Sequence, residues 1–71
     1  MPHAITWKDL DDIAIALHET RPELDPLQVR FTDLLEWTLQ LDGFAGKREE
    51  SNESKLEAIQ MAWLEEWQDA Q

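Results

Sequence analysis

No cysteine occurs among the 71 residues, and that absence restricts the fold more than any residue that is present. A domain of this size lies near the lower limit at which buried surface sustains a fold, and many such chains depend on a disulfide or a metal staple. Disulfides, thiolate metal sites and a cysteine nucleophile are all excluded here. The core therefore has to come from packing, and four tryptophans and two phenylalanines are the side chains that can supply it. A cysteine-free chain also fits a reducing compartment.

The stretch Arg30-Phe31-Thr32-Asp33-Leu34-Leu35-Glu36-Trp37 carries the densest local signal. Arg30 and Phe31 read as extended, and Thr32 as the cap of a helix whose first turn holds Asp33, where the positive end of the helix dipole favours an acid. Leu34, Trp37, Thr38 and Leu41 follow at helical spacing and point one stripe inward. The helix is predicted to run to Leu41 or Asp42, with Gly43 stopping it. Before it, Thr6 with Asp9 three residues on reads as a cap, and Ile5 and Leu10 as a hydrophobic staple. The repeat Leu10, Ile13, Ala14, Leu17 predicts an amphipathic helix that ends at Arg21-Pro22. Asp25-Pro26 with Gln28 and a Leu24–Val29 staple predicts one short helical turn. Residues 43–50 read as a loop with Phe44 tucked back on the core. Ser51 or Asn52 then caps a last helix with Leu56, Ile59, Trp63 and Trp67 inside, and residues 68–71 are expected to fray.

These elements predict an all-α domain of three to four helices, of modified winged-helix or helix-turn-helix type, with its ordered core at about residues 5–67. No repeat or second domain is visible, so residues 1–71 form one unit.

Sixteen acids against six Lys and Arg give a net charge of −10. Nucleic acids and anionic membranes are bound largely through basic side chains, so both are disfavoured as partners. This weighs against the DNA-reading role that a helix-turn-helix would otherwise suggest, because Asp33 and Glu36 on the second helix would repel phosphate. A DNA-binding winged helix stands only as a third reading carried by the fold. Cations and basic protein surfaces are the partners such a field steers inward. Residues 1–6 do not read as a secretory signal, and no apolar run reaches the ~20 residues of a membrane span.

Trp7 ahead of an acidic helix, Pro22-Glu23-Leu24-Asp25-Pro26, and Val29-Arg30-Phe31-Thr32-Asp33 with Trp37 together resemble the IscX (YfhJ-like) family of iron–sulfur cluster assembly proteins. So do Leu41-Asp42-Gly43-Phe44, Ser51-Asn52-Glu53 and Leu56-Glu57-Ala58-Ile59 running into Trp63-Leu64. The resemblance implies a bacterial cytoplasmic monomer that binds the cysteine desulfurase, shares its surface with a frataxin-like protein and ferredoxin, and binds Fe²⁺ weakly through carboxylates, with no tightly held cofactor. One loop departs from the family pattern: Ala45-Gly46-Lys47-Arg48 stand where relatives carry further aspartates.

No Ser–His–Asp pattern and no phosphate-cradling glycine loop is present, so no catalytic residue is assigned. The candidate partner-binding residues are Asp33, Glu36, Asp9, Asp12, Glu53 and Glu57, paired at helical spacings of three or four. Asp33 and Glu36 are also the candidate carboxylates for weak metal binding. His3 lies near the start of the chain, and His18 reads as a boundary residue rather than a ligand. Trp7, Trp37 and Trp63 are expected in the core and Trp67 partly exposed, with Leu35, Leu39, Met61 and Leu64 able to leave a small apolar patch. The leading reading is a non-enzymatic regulator of cluster assembly; the alternative is an acidic interaction module whose basic partner lies elsewhere.

Overall fold

A computed structural model describes residues 4–70. Three α-helices carry the fold: α1 (Leu10–Thr20), α2 (Phe31–Leu39) and α3 (Glu53–Asp69). Two single 3₁₀ turns, Pro26–Gln28 and Arg48–Glu50, punctuate the connections. The domain is all-α as expected, and sheet-type pairing among the described residues is limited to a single parallel bridge between Ile5 and Phe44.

The predicted inner stripes of α1 and α3 are buried except at Leu10 and Trp67, which are half-buried. Ile13, Ala14 and Leu17 meet Leu56, Ile59 and Trp63, and Leu34 of α2 closes on the same core. Trp63 is fully enclosed and forms an edge-on contact with Trp37, ring centroids 6.4 Å apart. Its indole Nε1 is buried without a hydrogen-bond partner. Trp37 differs from expectation. It is half-buried, and Thr38 is wholly enclosed beside Leu34, its hydroxyl satisfied by donating 2.8 Å to the Leu34 carbonyl. By bonding back along its own helix the hydroxyl satisfies its proton, so Thr38 is buried with no unpaired donor.

Several helix ends also differ from the sequence reading. Helix α1 begins at Leu10, not after Thr6. Asp9 does reach back to Thr6, accepting from its N–H at 2.8 Å and its hydroxyl at 3.2 Å, but these bonds close a separate turn. That turn lets Trp7 drop into the core before the helix starts. Helix α2 begins at Phe31 with extended Arg30 as its cap residue, so Thr32 lies inside the first turn, exposed and not capping. It ends at Leu39, earlier than predicted, and Gly43 (φ +82°) turns the chain three residues beyond the Gln40 cap. Asp25 caps the 3₁₀ turn by accepting from the Leu27 N–H, as expected; no capping bond from Gln28 forms, and its neighbour in the turn, Pro26, instead offers its carbonyl to Gln60 of α3. Asn52, rather than Ser51, caps α3 by accepting from the Lys55 N–H at 2.8 Å. The helix then continues to Asp69, so the expected fraying of the tail is not seen through that residue.

The segment read as a plain loop, 43–50, is built on close contacts. Phe44 packs edge-on against Trp7 at 5.0 Å, as predicted. Trp7 Nε1 donates to the Lys47 carbonyl at 2.8 Å. Gly46 lies directly beneath both rings, where a Cβ would come within 2.7 Å of each. Of the four residues proposed for an apolar patch, Met61 is 51% exposed, while Leu35, Leu39 and Leu64 are half-buried. Ile15 and Leu27 are the other large exposed apolar side chains among the described residues.

Candidate functional site

The outer face of α1 combines acid and apolar character. Asp12, Ile15 and Glu19 are spaced three and four residues apart and so share one face, opposite the Ile13–Leu17 stripe. Gly43 reverses the chain after α2, and the reversal carries Leu41 and Asp42 toward this face while Phe44 pairs with Ile5. The Ile5 N–H donates to the Gly43 carbonyl at 3.0 Å, and the Ala45 N–H to the Ile5 carbonyl at 2.7 Å. A groove of about 400 Å³ results, with Ile5, Ile15 and Leu41 in its lining and Asp12, Glu19 and Asp42 around it. No Lys or Arg lines it. All three carboxylates are exposed, and none forms a hydrogen bond or ion pair among the described residues.

A second depression shares Thr20, Leu41 and Asp42 with the first and extends it to Trp37 and Arg21. The Arg21 guanidinium lies 4.1 Å from the Trp37 ring centroid, a cation–π contact worth ~0.5–1 kcal/mol at a partly exposed position. This contact accounts for the half-buried state of Trp37: the indole forms one wall of the groove system instead of filling the core.

The residues singled out from sequence fall in three places. Asp9 and Asp12 stand together at the start of α1, but Asp9 is used in the Thr6 turn and Asp12 alone joins the groove. Asp33 and Glu36 are exposed on α2, and the Glu36 carboxylate is paired with the Arg48 guanidinium from the following loop. Glu53 and Glu57 lie exposed on the first turns of α3. Among the described residues no three His, Asp or Glu side chains gather as a metal-holding group. His18 is half-buried with its Nδ1 enclosed and without a hydrogen-bond partner, and His3 lies outside the described residues. Ile15, Glu19 and Asp42 are site residues that sequence reasoning missed. The signal for the first two was present, an isoleucine off the inner stripe with an acid on either side. Asp42 carried none, because its place depends on the Gly43 turn.

Residues 5–68 match the family described as iron–sulphur cluster assembly. The chain belongs to the iron–sulphur cluster assembly family. It is also similar to an uncharacterized protein of Pseudomonas aeruginosa, 46% identical over 63 residues that cover 89% of this chain and 96% of that protein. The family match covers α1, α2, α3 up to Gln68 and the whole groove, from Ile5 to Asp42, so the groove is part of the family domain rather than an appendage. Membership gives this assembly-family protein a role in iron–sulphur cluster assembly. No helix among the described residues is long and apolar enough to cross a membrane.

Proposed function

We propose that this protein is a non-enzymatic accessory factor of cluster assembly that docks its acid-edged groove onto a basic segment of the cysteine desulfurase. The observation that carries the reading is the groove itself: apolar side chains at Ile5, Ile15 and Leu41, three unpaired carboxylates around them, and no basic residue in the lining. Its complement is a segment that presents an apolar side chain between lysines or arginines. Apolar burial would supply affinity, and the charges would supply register and a fast encounter. Asp9, Asp33, Glu36, Glu53 and Glu57 extend the negative field around the groove and steer the approach. Occupying that basic surface excludes other acidic components, a frataxin-like protein and ferredoxin among them, and so tunes sulfur delivery.

Ferrous iron binds weakly in this picture, at surface carboxylates, with Asp33 and Glu36 the first pair. Two carboxylates leave most of the coordination shell to water, and Arg48 competes for Glu36. Bound iron would partly neutralise the acidic surface and weaken docking.

The test is calorimetric titration of purified desulfurase with the wild-type protein, the triple variant Asp12→Lys/Glu19→Lys/Asp42→Lys, and Asp33→Lys/Glu36→Lys. The groove variant is expected to lose binding, and the α2 variant to lose affinity mainly at low salt. Full affinity of a groove variant with an unchanged helical spectrum would overturn the assignment.

A further inference from the structure

We propose that the groove between the Trp7 turn, the 45–50 loop and the start of α3 is a binding site for a small, multiply charged anion carrying phosphate or carboxylate groups. Such a site would operate whether or not the protein docks on a desulfurase. Only six Lys and Arg stand against sixteen acids in this chain, yet three of the six, Lys8, Lys47 and Lys55, line this one groove of about 410 Å³. The remaining bases that make side-chain contacts are occupied elsewhere, Arg48 with Glu36 and Arg21 with Trp37. None of these three ammonium groups forms an ion pair with a carboxylate among the described residues.

The one acid in the lining does not cancel the lysines. The Glu50 carboxylate accepts from the Lys47 backbone N–H at 2.9 Å, and the Lys55 ammonium donates to the Glu50 backbone carbonyl at 2.6 Å, so neither bond joins carboxylate to ammonium. The backbone beneath the charges is fixed. The Lys47 carbonyl accepts from both Trp7 Nε1 and the Glu50 N–H, and Lys55 is held by the Asn52 cap. Because Trp7 spends its N–H on that carbonyl, it offers the groove only an apolar wall, and Gly46 packs so closely against the ring that a Cβ would meet it at 2.7 Å, which holds loop and indole together. Three cations from three segments on a fixed frame suit a compact anion with charge on more than one side. Lysine serves such a ligand as a mobile point charge, without the planar fork of arginine. Lys8 also borders Asp9, Asp11 and Asp12 at the start of α1, while the acids further away are screened at physiological salt beyond about 8 Å.

The experiment is an NMR titration of uniformly ¹⁵N-labelled protein with sodium diphosphate, and in a second arm with citrate, chloride holding ionic strength constant. Saturable shifts are expected at the amides of Lys8, Gly46, Lys47 and Lys55 and at the Trp7 indole N–H. The Lys8→Gln/Lys47→Gln variant should bind about tenfold more weakly, the product of two exposed charge pairs. Its melting temperature should not fall, since neither ammonium makes an internal bond. Tighter diphosphate assigns the site to phosphates and tighter citrate to carboxylates. Shifts that are linear in ligand and spread over the surface, or that saturate in the double variant at the same ligand concentration as in the wild type, would overturn the proposal.

Discussion

Replacing Gly46 by alanine should be among the costliest single-methyl additions this protein can receive. A Cβ there would lie 2.7 Å from Phe44 Cζ and 2.7 Å from both Cδ1 and Nε1 of Trp7. Carbon atoms in contact prefer a separation of about 3.5–4.0 Å, so the rings would have to retreat by about 1 Å. Neither ring is free to do so. Trp7 is 5% exposed and bonded to the Lys47 carbonyl, while Phe44 is held edge-on to it from a backbone paired with Ile5. Overpacking of this kind costs about 1–3 kcal/mol, and loss of the indole hydrogen bond adds ~1 kcal/mol. A domain of this length has a total stability of about 4–10 kcal/mol, so a loss of about 2–4 should lower the melting temperature by about 10–25 °C. Gly43 is the comparison that makes the test sharp. It has a positive φ of 82° but nothing within 4 Å of where an alanine methyl would stand, so Gly43→Ala should cost only the left-handed backbone penalty of about 1–2 kcal/mol. Thermal and urea unfolding of both variants, followed by circular dichroism, gives the ranking. If Gly46→Ala lost no more than Gly43→Ala, the close packing beneath Trp7 would be refuted.

Three further outcomes follow from the same structure. Asn52→Ala should cost ~1 kcal/mol by removing the α3 cap, whereas Thr32→Ala should stay within about 0.5 kcal/mol, and urea midpoints distinguish them. Trp63→Phe should cost less than Trp7→Phe in the same assay, because the first removes a buried N–H that has no partner and the second removes the hydrogen bond that ties Trp7 to the Lys47 carbonyl. Sodium chloride should raise the melting temperature by screening the repulsion within a chain of net charge −10, and a flat response would show that the acids are too dispersed to repel one another.

The inner stripes of α1 and α3 were legible because periodicity reports burial directly, and Ile13, Leu17, Ile59 and Trp63 all lie where it put them. Helix ends were less legible. Thr32 has the chemistry of a cap, but α2 starts a residue before it, with the Arg30 carbonyl accepting from the Leu34 N–H at 2.9 Å. Thr6 and Asp9 do find one another, yet the demand of Trp7 for burial turns their bond to a different use. The two grooves lay further from view, since each joins segments distant in sequence. Ile15 and Glu19 belong to a helix face that could have been drawn from spacing alone. The meeting of Lys8, Lys47 and Lys55 depends on the Trp7–Lys47 bond across forty residues, which leaves no local trace.

The pairing of Ile5 with Phe44 is short, and its two hydrogen bonds join the beginning of the described chain to its middle. So small a clasp should release before the helices do, as a partial opening well below the free energy of global unfolding. Release would unseat Trp7 and dissolve both grooves together, since each is walled by one side of the same junction. Any molecule that settles in either groove must therefore hold the clasp shut, and slowed hydrogen exchange at the Ile5 and Ala45 amides would report occupancy of the acidic and the basic site alike.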